Sequence, residues 1–138
     1  MEQKHYELEI AADIEKLGDA AAFVESILEE NDCPLKAQTQ IDVAFEEIFV
    51  NIAHYAYPDG EGKAKIVVDA CPEFAEITFI DSGIPYDPLA KADPDITLSA
   101  EERQIGGLGI FLVKKTMDSV GYEYKDGKNI VTIKKTIG

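Results

Sequence analysis

The 138-residue chain has no tryptophan and only two cysteines, two histidines and two methionines. Cys33 and Cys71 form no CxxC pair, and His5 and His54 make no HExxH or other paired motif. These counts argue against a zinc site, and two lone thiols suit a reducing compartment. Basic residues are also scarce: 13 Lys and Arg stand against 27 Asp and Glu, a net charge of −14. A chain of that sign is repelled by phosphate backbones and anionic lipid, so neither a nucleic acid nor a membrane is expected as its main partner. A partner with a basic patch fits better. No apolar run approaches the ~18 residues that a membrane span needs. The first ten residues, MEQKHYELEI, alternate polar with apolar instead of forming a signal-peptide core, so a cytoplasmic protein is expected. Repeats, low-complexity stretches and blocks of like charge are lacking too. With 46% apolar and 29% charged residues, the remaining composition is that of a globular chain, and the expectation is one domain over 1–138.

Hydrophobic periodicity supplies the elements. Tyr6, Leu8 and Ile10 alternate with Glu7 and Glu9, so 5–11 reads as a strand with one wet face. Leu17, Ala21, Val24 and Leu28 recur at helical spacing within 13–31, and Asn31-Asp32-Cys33-Pro34 ends that helix. A second helix over 36–56 carries Ile41, Phe45, Ile48 and Ile52 and stops at Tyr57-Pro58-Asp59-Gly60. Residues 64–71 and 75–81 read as an antiparallel hairpin joined at Pro72-Glu73. The stretch 82–105, with Pro85, Pro88 and Pro94, shows no periodicity, and a segment of that length in a small domain is usually a functional lid. Gly106-Gly107-Leu108-Gly109 opens a third helix running to about Val120, and 121–126 with 129–136 forms a last hairpin around Asp126-Gly127. Blocks of strand and helix predict an α+β fold: a two-layer α/β sandwich with a mixed, mostly antiparallel sheet and the helices on one face.

Three stretches carry chemistry. On the second helix, Glu47 and Asn51 lie only ~40° apart and flank the apolar stripe, whereas Glu46 falls on the opposite, solvated flank. A carboxylate placed there can serve as a general base, and an amide oxygen is a hard ligand of the kind Mg²⁺ accepts. Taken alone, the pair also fits the surface of any amphipathic helix. Asp81-Ser82-Gly83-Ile84-Pro85 follows an apolar strand, where a carboxylate can accept from the amino group of a base and Gly83 lets a planar ligand approach. The same residues are ordinary turn formers. The glycines of 106–109 expose backbone N–H groups at a helix start, which suits an anion, and Arg103, Lys114 and Lys115 flank them with positive charge. The run is neither a Walker A loop nor a Rossmann fingerprint.

Taken in order, EEIFVNIAHYAYP, DSGIPYDP and GGLGIFLVKKTMD resemble the N box and the two glycine motifs of the GHKL superfamily, whose ATP-binding domain is the Bergerat fold. The nearest resemblance is to the short anti-sigma-factor serine/threonine kinases, and it spans nearly the whole chain. It implies an ATP-dependent kinase in which Glu47 is the catalytic base and Asn51 holds Mg²⁺ against the phosphates. Asp81 would read the adenine amino group, with Gly83, Ile84 and Pro85 beside it. Gly106, Gly107, Leu108 and Gly109 would cradle the phosphates, and Arg103, at the end of a lid over 86–105, would reach the γ-phosphate. It further implies a sigma factor and a small anti-anti-sigma phospho-acceptor as partners, and a homodimer built with the first strand and helix. Three positions depart from the family pattern. Tyr55 stands where many relatives have His, Pro85 replaces a glycine, and Asn129 stands where a Thr often helps to bind adenine. A second reading follows from these departures: a non-catalytic ATP-binding module that holds a sigma factor or another regulatory partner.

Overall fold

Among the described residues, five strands and three helices form in the order that the periodicity predicts. The structure, a computed structural model, describes residues 3–58, 60–90 and 107–137. In chain order the elements are β1 (Lys4–Ala11), α1 (Leu17–Glu30), α2 (Leu35–Tyr55), β2 (Lys63–Ala70), β3 (Phe74–Asp81), α3 (Gly107–Thr116), β4 (Ser119–Lys125) and β5 (Lys128–Thr136). Short 3₁₀ turns cover Ile14–Lys16 and Pro88–Ala90. Asp13 caps the first of these turns by accepting from the Glu15 N–H. Asp32, at φ 56°, turns the chain out of α1.

The sheet order is β1-β2-β3-β5-β4, and every pairing among the described strands is antiparallel. The mixed sheet expected above is therefore corrected. β4 runs in the same direction as β3, but the tight β4–β5 hairpin lays β5 between them, so no parallel pair forms. The third helix also ends earlier than expected, at Thr116, and Val120 lies in β4. Val120 and Tyr122 pack against the core at the two-residue spacing of a strand.

Parity along each strand decides which face is buried. Ala64, Ile66, Val68 and Ala70 of β2, Ala75, Ile77 and Phe79 of β3, and Val131 and Ile133 of β5 point to the helices. The helices answer with Val24 and Leu28 of α1, Ile41, Phe45, Ile48 and Ile52 of α2, and Ile110 and Val113 of α3. Phe45 stacks near Phe49 at 5.9 Å and meets Phe79 of the sheet at 5.2 Å, fixing α2 over the middle strands. Asp81 and Asn129 occupy core-facing positions at facing ends of β3 and β5 and sit opposite one another in the register. The fold thus brings two polar side chains to the rim of an apolar layer, next to the end of α2.

At the α1–α2 contact, burial, together with the negative charge of Glu25 and a hydrogen bond to it, raises the Asp42 carboxyl from an ordinary 3.8 to about 6. The folded chain therefore holds this proton more tightly than the unfolded chain, and stability falls as pH rises from about 4 to above 6. Because Asp42 is only partly buried, the effect is small. Asp42→Asn should raise the thermal midpoint by about 3 °C at neutral pH and leave it unchanged below pH ~4. An equal shift at both pH values in a calorimetric scan would show that the carboxyl is not strained by its surroundings.

Candidate functional site

The site is assembled from the ends of three elements. On α2, Asn51 is 4% exposed, and its Nδ2 donates to the Glu47 carbonyl at 2.7 Å. That bond back to the preceding turn orients the amide and leaves Oδ1 as its acceptor end. Glu46 is exposed, and Glu47 is partly buried, as their flanks required. The Glu47 carboxylate lies against Gly109, near the N-terminal end of α3: its Cδ, Oε1 and Oε2 are the atoms that a Cβ at 109 would strike first. A glycine at 109 thus lets a carboxylate from α2 come up against the first turn of α3.

Asp81, 4% exposed, ends β3. Its Oδ1 accepts from the Gly83 N–H and from Asn129 Nδ2, both at 2.9 Å. The turn that follows is docked on α2, with the Ile84 N–H donating to the Ala56 carbonyl at 2.8 Å. A Cβ at Gly83 would collide with the backbone of Ala56, so the missing side chain here has a packing role beyond the ligand approach expected of it. Tyr57 clamps the same corner: its hydroxyl donates to the Lys63 carbonyl at 2.6 Å and accepts from the Ser82 N–H at 2.9 Å. Burial raises the Tyr57 phenol above its ordinary value.

Asn51 and Asp81 line one hollow together with Ile52, Ala56, Tyr86, Pro88, Asn129 and Val131. Only about 10 Å³ of it is open, too little for an organic ligand. Tyr86 and the buried Pro88 close it, and the Tyr86 ring stacks on Tyr55 at 4.9 Å. Ile84 and Pro85 do not line this hollow. They line a wider one of about 510 Å³ with Ala56, Tyr57 and Tyr124, and the Ile84 side chain is 50% exposed.

Gly107 and Leu108 open α3 as expected, with Gly109 one residue on. Arg103, Gly106 and residues 91–105 of the lid expected over 86–105 lie outside the described residues. The charge assigned to Lys114 and Lys115 is corrected: both sit in the last turn of α3, about 10 Å along the axis from Gly107. There they complement the C-terminal end of the helix dipole, and Lys115 lies over the Phe111 ring at 5.4 Å. Among the described residues, what the start of α3 offers an anion is therefore its backbone N–H groups and the helix dipole.

An amide oxygen on Asn51 and a carboxylate one turn earlier are hard donors. No group of three or more His, Cys, Asp or Glu among the described residues could cage an ion. Such a donor set fits Mg²⁺ held mainly by phosphates and water, with little help from protein. Sequence reasoning noted Asn129 only as a departure and missed that it is a hub. The usable signal was parity: Asn129 shares a strand face with Val131 and Ile133, and an amide on a core face demands partners. Among the described residues, no helix is long and apolar enough to cross a membrane.

The chain is 24% identical over 134 residues to the serine/threonine-protein kinase BtrW of Bordetella bronchiseptica, covering 96% of this chain and 94% of that protein. It is 29% identical over 105 residues to the serine-protein kinase RsbW of Listeria monocytogenes, covering 72% of this chain and 66% of that protein. The profile of a family described as histidine kinase-like ATPase domain matches residues 10–135. That span runs from the end of β1 through α2, the Asp81 turn and α3 into β5, and over it the chain belongs to the histidine kinase-like ATPase domains.

Proposed function

We propose that the chain binds ATP with Mg²⁺ and transfers the γ-phosphate to a serine or threonine of a small anti-anti-sigma-like partner. In this reading it is a cytoplasmic anti-sigma regulatory factor that acts on transcription by sequestering a sigma factor, and it works as a homodimer. The observation that carries the reading is the meeting of Glu47 with Gly109 at the start of α3, one helical turn from an Asn51 that shares a hollow with Asp81. Base, phosphates and general base would then be ordered along one side of α2. Asp81 accepts from the exocyclic amino group of adenine. The N–H groups at the start of α3 face the phosphates, with Gly106, Gly107, Leu108 and Gly109 forming that loop and Arg103 reaching the γ-phosphate from a lid over 86–105.

Glu47 accepts the proton of the incoming hydroxyl as its oxygen bonds to the γ-phosphorus and the bond from that phosphorus to the β–γ bridging oxygen breaks, releasing ADP. Asn51 Oδ1 would hold Mg²⁺, which would neutralise phosphate charge. The protein's share is positioning and electrostatics, and it needs no covalent intermediate.

With the hollow closed to about 10 Å³, adenine enters only if Tyr86 and Pro88 swing away. Both readings need that opening; the departures at Tyr55, Pro85 and Asn129 favour the alternative, a non-catalytic module in which nucleotide sets conformation alone. One experiment separates the two. The purified chain is incubated with labelled ATP, Mg²⁺ and a small anti-anti-sigma protein encoded beside it, and label on a partner serine or threonine is measured. Transfer is expected, together with a change in near-ultraviolet dichroism as the Tyr55–Tyr86 stack opens. A dichroic change without labelled product would favour the module, and absence of both would remove the nucleotide reading.

A further inference from the structure

Asn129 is 2% exposed and is the second residue of β5, directly opposite Asp81. All four hydrogen-bonding positions of its amide are used. Nδ2 donates to Asp81 Oδ1 at 2.9 Å and to the Ile84 carbonyl at 2.8 Å. Oδ1 accepts from the Tyr86 N–H at 3.1 Å and the Tyr122 hydroxyl at 2.5 Å. Only one orientation of the amide satisfies this set. Turned over, it would aim its oxygen at a carboxylate and a carbonyl, and its N–H groups at an N–H donor.

This arrangement has a consequence for Asp81. Its Oδ1 is consumed by Gly83 and Asn129, and no described residue is shown donating to Oδ2. The carboxylate thus presents one defined acceptor, on a strand end that a buried amide ties to 84–86.

We infer that Asn129 is a positioning residue for nucleotide selection. It does not touch the base; it fixes which oxygen of Asp81 the base meets and joins the Asp81 turn to Ile84 and Tyr86. A purine that offers an amino group to that oxygen is accepted, and one that offers a carbonyl faces acceptor against acceptor. The inference rests on the nucleotide reading above and assigns its selectivity to a residue that acts through another.

The test is calorimetric titration of the full chain with Mg-ADP and Mg-GDP, for the parent and for Asn129→Asp. The parent should bind ADP and prefer it to GDP. In Asn129→Asp a second carboxylate faces Asp81 Oδ1, so ADP affinity should fall about 30-fold near pH 8 and recover most of that loss near pH 5.5, where the pair shares a proton. A purely structural defect gives a loss that does not recover with acid, and that result would overturn the inference, as would unchanged affinity. Should Asn129→Asp fail to fold, Asn129→Ala removes all four contacts, including the donor that fixes Asp81 Oδ1. It should lose about 10-fold in ADP affinity and part of its preference over GDP, and parent-like values would refute the assignment. A parent that binds neither nucleotide would sink the nucleotide reading itself, a result distinct from both.

Discussion

Glu47→Ala is expected to slow phosphotransfer about 10³-fold while changing ADP affinity by less than about 3-fold. The split follows from where the carboxylate sits. Glu47 lies against the start of α3, whereas the hollow proposed for the base is lined by Asn51, Asp81 and Asn129 at the far end of α2. Removing it leaves the base contacts and the α3 N–H groups in place and takes away the acceptor for the hydroxyl proton. The fold should not suffer, because Glu47 is partly exposed and outside the apolar cluster. Glu47→Gln is the stricter variant: it keeps the shape against Gly109 and loses the basicity, so it should fall as far as Glu47→Ala. Initial rates with the partner in excess and ADP titrations on the same preparations check both. Transfer by Glu47→Ala at the parent rate would remove the assigned role.

What the sequence reveals about this site divides along a physical line. Relations within one element are legible. The spacing of four that puts Glu47 and Asn51 on one face is fixed by helical geometry, whatever the rest of the chain does. The inward parity of Ile77, Phe79 and Asp81 is likewise fixed by the pleat. Relations between elements are not. Asn129 faces Asp81 because the β4–β5 hairpin inserts β5 beside β3, and strand order is a property of the whole sheet. Val113, Met117 and Val120 continue at steps of four and three, so spacing alone extends the helix to 120. Only the core-facing pair Val120 and Tyr122 marks the switch to a strand. Lys114 and Lys115 are close to the glycines in sequence but not in space, since a rigid helix carries them two turns away. The covering of the hollow by Tyr86 and Pro88 had no periodicity to betray it, because 3₁₀ turns and prolines leave no repeating pattern.

Gly109→Ala should cut phosphotransfer by about 100-fold in a chain that melts within a few degrees of the parent. A Cβ at 109 would overlap the carboxylate of Glu47 and no backbone atom among its nearest contacts. The clash is relieved by rotating the end of a flexible side chain, so it costs little stability. The displaced group is the proposed general base, and a shift of about an ångström in such a group is enough to lose most of its benefit. A double variant separates this from simple damage to α3. If alanine at 109 acts only by moving Glu47, then Glu47→Ala with Gly109→Ala should be no slower than Glu47→Ala alone. If the two losses multiply, Gly109 serves the phosphates through its own backbone, and the contact with Glu47 is incidental.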